Sequence, residues 1–177
     1  MSVSLIELQR IMPYAGKRAR MFLDPLNEAM EEFEISLSQA RESAFLAQIA
    51  HESGELRYVR EIASGAAYEG REDLGNTEPG DGERFRGRGL IQVTGRKNYG
   101  DCGEALGLDL LHEPQLLEEP RNACRSAGWF WKSRGLNDFA DKGGFEVITR
   151  RINGGLNGYA DRLAYFRRAQ QTLGDVA

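Results

Sequence analysis

The sequence predicts a mainly α-helical fold in a single domain, and three observations support that prediction. Apolar residues recur at helical spacing over most of the chain. The length of 177 residues and the hydrophobic fraction of 41% suit one globular domain with its own core. A glycine-rich stretch over residues 62–89 interrupts the helical pattern, and long irregular segments in compact domains are usually functional. We therefore expect an α-rich body with a smaller irregular lobe within residues 1–177.

The N-terminal residues predict helices with a defined start. Residues 4–12 place their apolar side chains on one face, and Ser4 with Glu7 forms the Ser-x-x-Glu pattern of a capping box. Residues 17–34 continue the helical pattern in one or two stretches. Proline favours a helix start, so we expect an interruption at Pro25.

The remaining elements follow from the same periodicity. Residues 39–53 are the most apolar helical stretch, and Gly54 is a suitable C-terminal stop. Beyond the irregular lobe, residues 90–94 have the composition of a short β-strand. Four further helical patterns then follow, over residues 96–106, 120–133, 144–152 and 159–173.

Charge is divided unevenly along the chain. The first 83 residues carry 8 basic and 16 acidic side chains, and the others carry 15 and 11. The net charge of −4 argues against sequence-independent nucleic-acid binding, which needs a broad basic footprint. No apolar run approaches the roughly 20 residues that a membrane-spanning helix requires, and the N-terminus lacks the pattern of a secretory signal. We therefore expect no nucleic-acid partner and no membrane insertion.

Cysteine and histidine usage predicts neither a metal site nor a cofactor. Cys102 and Cys124 are too few for a disulfide framework or a zinc site. We interpret both as reduced, buried thiols, with a single bridge as the alternative in an oxidising compartment. His51 and Glu52 match the first two positions of the zinc-binding HExxH motif, but Glu55 occupies the position of its second histidine.

Glu52 is the best candidate for a general acid. It lies in the last turn of the helix over residues 39–53, where the helix dipole is negative, and it shares the stripe of Phe45 and Ile49. Both effects disfavour the ionised form, so we expect a raised pKa, as general-acid catalysis requires. The alternative is that the helix has already ended and Glu52 is simply solvated.

Glu61 is the candidate for the second carboxylate. Arg60 precedes it directly and Arg57 lies four residues earlier, and nearby cations favour an ionised carboxylate. Two carboxyl groups whose pKa values are shifted in opposite directions suit the general acid and general base of glycoside hydrolysis. We interpret the other acidic residues of this region as solvated charges: Glu55, Glu69, Glu72, Asp73 and Glu78.

An ordered set of segments resembles a known family. The segment His51-Glu52-Ser53-Gly54 is followed by Glu61, then by RFRGRGLIQVTGRKNY over residues 84–99, and then by INGG over residues 152–155. This order is similar to glycoside hydrolase family nineteen, the chitinase class, and most similar to single-domain endolysins from phages and prophages of Gram-negative bacteria. The resemblance extends over about residues 5–173. It implies a lysozyme-like fold with a sugar-binding groove between the body and the smaller lobe.

The resemblance also implies a role for each matched residue. Glu52 would be the general acid and Glu61 the general base that activates water, while the Thr94 hydroxyl would help to hold that water. Three side-chain amides would bind the N-acetyl and hydroxyl groups of the substrate: Gln92, Asn98 and Asn153. Family members invert the anomeric configuration, for which carboxyl groups stand roughly 6.5–9.5 Å apart.

Two substrates remain open within this family. Basic residues cluster over residues 83–97 and 145–168. If both segments line the groove, they would attract anionic peptidoglycan rather than neutral chitin, unless surplus acidic residues pair with them. We predict an endolysin that cleaves peptidoglycan glycan strands, with chitinase as the alternative.

Two further interpretations are less favoured because the chain keeps both candidate carboxylates. A lytic transglycosylase would use one acid, and a catalytically inactive cell-wall-binding protein would need neither. As an endolysin, the protein is expected to be a monomer without a separate cell-wall-binding module. It would stay in the host cytoplasm until a holin releases it to the peptidoglycan.

Overall fold

The computed structural model describes residues 2–174, where helices dominate and no multi-residue β-strand occurs, which confirms the predicted mainly α class. The helices of this part of the chain are α1 Leu5–Ile11, α2 Lys17–Glu32, α3 Gln39–Glu52, α4 Asp81–Arg84, α5 Arg96–Leu106, α6 Pro120–Ser133, α7 Leu136–Asp141, α8 Phe145–Asn153 and α9 Tyr159–Gly174. Short 3₁₀ turns lie at Ile35–Leu37, Ala66–Tyr68, Glu72–Leu74 and Pro114–Glu118.

The buried hydrophobic residues form two clusters, here called the body and the α5 lobe; only Phe85 of the glycine-rich stretch 62–89 belongs to the second. The larger cluster joins α1, α2, α3, α6, α8 and α9, with Phe45 and Trp131 fully buried in it. The smaller cluster surrounds α5 and consists of Phe85, Val93, Tyr99, Cys102, Leu106, Leu110 and Leu117. Phe33 and Trp129 pack against both clusters and therefore lie at the seam between them.

The N-terminal helices confirm the predicted cap and correct the predicted break. The Ser4 hydroxyl accepts a hydrogen bond from the Glu7 amide, and the Ser4 amide donates to the Glu7 carboxylate, which completes the capping box. The interruption expected at Pro25 is wrong, because α2 continues through it. Proline removes only one backbone donor, and burial of the apolar face of α2, which includes Phe22 and Leu26, maintains the helix.

The β-strand expected over residues 90–94 is also wrong. The Arg88 amide donates to the Val93 carbonyl at 3.1 Å and the Val93 amide donates back at 2.8 Å, so the intervening residues form a turn. On its other side, this turn pairs with the segment before it: the Glu61 amide donates to the Gly87 carbonyl at 2.9 Å. These isolated bridges place Glu61 beside the start of the turn.

Cys102 and Cys124 are buried and unpaired, and burial raises the pKa of the Cys102 thiol to about 12. Within residues 2–174 no helix is both long and apolar enough to cross a bilayer. The structure adds the short helices α4 and α7, which the periodicity does not predict.

Candidate active site

Glu52 is the last residue of α3, the central helix of the body. Phe45 and Ile49 on the same helix are fully buried, as the apolar stripe predicts. The chain leaves the helix through Gly54, Glu55 and Leu56, which all have positive φ angles. The Glu52 side chain is 25% exposed and is held in an ion pair. The alternative in which Glu52 is simply solvated is therefore wrong.

The partner of Glu52 is Arg162 on α9. The Arg162 guanidinium lies 2.6 Å from the Glu52 carboxylate, and it also donates to the Gln48 side-chain oxygen at 2.6 Å. Gln48 in turn donates to the Thr149 hydroxyl at 2.9 Å. Arg162 was expected among basic residues lining the groove, but it is only 1% exposed. The sequence signal that could have identified it is its spacing on α9, four residues before Phe166 and seven before Ala169, which places all three on one helix face.

Glu55 shapes the segment between the two candidate carboxylates, and its interpretation as a solvated charge is wrong. It is 3% exposed. One carboxylate oxygen accepts from the Tyr14 amide at 2.5 Å and the other from the Tyr165 hydroxyl at 2.7 Å. Burial, together with the hydrogen bond to Glu55, raises the pKa of Tyr165. Glu55 thus anchors the exit of α3 to the body.

Within the described residues, one carboxylate oxygen of Glu61 accepts a hydrogen bond and the other does not. Its Oε2 accepts a hydrogen bond from the Tyr68 hydroxyl at 3.0 Å, while Oε1 is buried without a partner among residues 2–174. Burial and the neighbouring Glu61 carboxylate raise the pKa of Tyr68. The two arginines expected to favour the ionised form of Glu61 make other contacts: Arg60 forms an ion pair with Glu118, and Arg57 lies over the Tyr58 ring.

Gly87 allows Glu61 and Gln92 to approach each other. A Cβ atom at position 87 would lie 2.6 Å from the Gln92 side-chain oxygen and 2.8 Å from Glu61 Oε2. Real Cβ atoms do not approach other atoms this closely, so only glycine leaves room for both side chains. The structure therefore brings Glu61 and Gln92 together.

Three predicted residues share one small pocket at the seam. Gln92, Thr94 and Asn98 line it with Trp129, Phe130 and Arg134. The Asn98 amide group donates to the Thr94 carbonyl at 2.8 Å, which fixes their relative position. Arg134, which the sequence analysis did not single out, stacks its guanidinium 3.6 Å from the centre of the Phe130 ring.

Asn153, the last residue of α8, carries a second unsatisfied polar atom. Its Nδ2 is buried without a hydrogen-bond partner in the described part of the chain, as is Glu61 Oε1. Buried polar atoms are nearly always hydrogen-bonded in native proteins. Orphan atoms on two predicted site residues therefore mark positions that a water or a substrate group can satisfy.

Three of the five basic residues in the predicted basic segment over residues 83–97 are paired with carboxylates. Arg88, Arg96 and Lys97 form these ion pairs, at distances of 2.9, 2.7 and 2.8 Å. Arg84 donates instead to the backbone carbonyls of Leu111 and His112, just before the 3₁₀ turn Pro114–Glu118. Within residues 2–174 no group of three or more His, Cys, Asp or Glu side chains is placed to hold a metal ion.

Comparison with known proteins decides the family. A family model described as chitinase class I matches residues 35–141. A Haemophilus influenzae protein described as containing a glycosyl hydrolase family 19 domain is 30% identical over 99% of both chains. The chain belongs to glycoside hydrolase family 19.

Solved structures extend this family 19 assignment to the fold. Chitinase C from Streptomyces griseus is 26% identical, with a TM-score of 0.80 over 97% of this chain and 76% of that one. A bacterial family 19 chitinase is 25% identical, with a TM-score of 0.82 over 97% and 95% of the two chains. The predicted lysozyme-like, α-rich fold and glycoside hydrolase class are thereby confirmed.

Plant relatives match only in part. An Arabidopsis thaliana endochitinase is 35% identical over 81% of this family 19 chain, which spans 50% of that relative's length. The region matched by the family model contains five predicted site residues, Glu52, Glu61, Gln92, Thr94 and Asn98. Asn153 lies beyond that region but within the full-length bacterial match.

Proposed function

We propose that this family 19 hydrolase cleaves β-1,4 glycosidic bonds next to N-acetylated amino sugars, with inversion of configuration. The observation that carries the proposal is the state of Glu61. Tyr68 holds one carboxylate oxygen, and the other is buried and unpartnered. A carboxylate oriented in this way can accept a proton from an attacking water.

In this reaction Glu52 donates its proton to the glycosidic oxygen as the bond to the anomeric carbon breaks. Water attacks the opposite face of that carbon and gives a proton to Glu61. Arg162 stabilises the Glu52 carboxylate that remains after the transfer, since its guanidinium is 2.6 Å away. The Thr94 hydroxyl would hold the water. The substrate amide and hydroxyl groups would be bound by Gln92, Asn98 and Asn153.

The proposed substrate is the glycan strand of bacterial peptidoglycan. Although the chain has a net charge of −4, Arg134 in the seam pocket has no ion-pair partner among the described residues. A cationic group in such a place favours an anionic polymer, and the peptides of peptidoglycan carry carboxylates. The endolysin role, the monomeric state and release from the cytoplasm by a holin belong to this proposal.

Chitin is the second candidate substrate. The relatives whose names state an activity are chitinases, including the enzymes from Streptomyces griseus and Arabidopsis thaliana. The ion pairs of Arg88, Arg96 and Lys97 also remove part of the expected preference for an anionic polymer.

One digestion experiment separates these functions. Purified peptidoglycan and N-acetylglucosamine hexamer are incubated with the protein, and the products are reduced with borohydride and analysed by mass spectrometry. Reduced N-acetylmuramic acid ends would establish a muramidase. Reduced N-acetylglucosamine ends from peptidoglycan would show that the protein cleaves the other glycosidic bond, after N-acetylglucosamine. Anhydro-sugar ends would show transglycosylation instead of hydrolysis. Cleavage of the hexamer alone would make the protein a chitinase.

Variants test the assigned carboxylates. Glu52→Gln and Glu61→Gln should each abolish turnover in a folded protein, while the exposed Glu83→Gln serves as a matched control. Proton NMR of the first hexamer products should show the α-anomer, as inversion requires. Fractionation during lysis tests release: the protein should reach the periplasm only when a holin is present.

A further inference from the structure

Arg134 is an uncompensated charge inside the candidate site. It follows α6, lines the pocket of Gln92, Thr94 and Asn98, and is half-buried. Its only side-chain hydrogen bond among the described residues is a long one of 3.4 Å to the Ser133 hydroxyl. Burial lowers the pKa of Arg134, and no neighbouring charge offsets that effect. Most of its guanidinium donors are therefore available to a ligand.

A second arginine, Arg151 on α8, lies next to Arg134. Its guanidinium donates to the Arg134 carbonyl at 3.3 Å and lies 4.5 Å from the centre of the Phe139 ring. Like Arg134, it makes no ion pair with another described residue. Arg151 thus joins Arg134 to the last turn of α8, two residues before Asn153, whose Nδ2 has no hydrogen-bond partner in the described chain.

Arg134 differs from other partly buried arginines that are paired with a carboxylate. Arg41 forms an ion pair with Asp141 at 2.6 Å, and Arg125 forms one with Glu32 at 2.8 Å. Removing a guanidinium from water is costly unless an anion compensates it. A substrate anion would provide that compensation at Arg134.

We propose that Arg134, assisted by Arg151, binds a peptide carboxylate on the saccharide held by Gln92, Thr94 and Asn98. The planar guanidinium matches the geometry of a carboxylate, with two parallel hydrogen bonds. Chitin carries no such group, so this subsite selects peptide-substituted glycan over the neutral polymer. The inference rests on the proposed function, because it assumes that this pocket receives the sugar.

A binding measurement tests the subsite without relying on turnover. Calorimetry compares N-acetylmuramyl-L-alanyl-D-isoglutamine, which carries one carboxylate, with neutral diacetylchitobiose. Arg134→Gln should weaken binding of the muramyl peptide about tenfold, as expected for loss of a charge-assisted hydrogen bond. Binding of diacetylchitobiose should weaken much less, because it carries no carboxylate, and Arg134→Lys should restore part of the loss. Arg20→Gln, at an exposed position of α2, is the matched control.

Turnover provides an independent readout. On peptide-bearing glycan strands Arg134→Gln should raise KM about tenfold, with a much smaller rise in KM for N-acetylglucosamine hexamer, which carries no carboxylate. Equal losses on both substrates, no loss on either, or failure of the wild type to bind the muramyl peptide would each overturn the subsite. The proposed function fails separately, if the wild type does not cleave glycan strands at all.

Discussion

Burial of Glu42 makes the stability of this protein depend on pH in a predictable direction. Glu42 lies in the first turn of α3, is 2% exposed, and its Oε1 has no hydrogen-bond partner in the described chain. Burial, with a smaller contribution from the Glu7 carboxylate, raises its pKa from 4.5 to about 7. A raised pKa means that the fold tolerates the protonated carboxyl and disfavours the ionised one.

The magnitude follows from the two pKa values. Below pH 4.5 Glu42 is protonated in both the folded and unfolded states, and its ionisation costs nothing. As the pH rises through about 7, the free energy of unfolding falls, and the loss reaches about 3 kcal/mol at about 1.4 kcal/mol per pH unit. Glu42→Gln cannot ionise. It should therefore become more stable than the wild type by about this amount above pH 7.

Urea unfolding followed by tryptophan fluorescence between pH 4 and pH 8.5 measures this difference. All other titrating groups are common to both proteins, so their contributions cancel. Glu104→Gln, at an exposed position of α5, should differ from the wild type by the same amount at every pH. A pH-independent difference for Glu42→Gln would refute the reasoning, because it would show that Glu42 ionises as easily in the folded protein as in the unfolded chain.

Three further predictions concern the site. Gly87→Ala should lower kcat at least about tenfold, because its Cβ would displace Glu61 and Gln92; Gly100→Ala, where only Leu111 lies within 4 Å, should be neutral in the same assay. Tyr68→Phe should lower kcat and leave KM unchanged, since it frees Glu61 Oε2; an unchanged kcat would remove Tyr68 from the mechanism. Arg162→Leu should reduce the free energy of unfolding by about 3–5 kcal/mol, and a smaller loss in urea unfolding would contradict the buried ion pair with Glu52.

Local patterns in the sequence determined the helices of this protein and the residues worth testing. The capping box at Ser4 and the bounds of α6 are predictable because helix hydrogen bonds join residues four apart. The ordered segments from Glu52 to Asn153 likewise identified the family, which the comparisons confirm.

Only the tertiary structure decided which residues meet. Arg162 lies 110 positions after Glu52, and Glu55 binds Tyr165 across a similar separation, so no local pattern predicts either contact. Packing also overrode local preference where α2 continues through Pro25. Helix formation depends on neighbours along the chain, whereas ion pairs, buried carboxylates and the site depend on how the helices pack. For that reason the sequence indicated the chemistry, and the fold determined its surroundings.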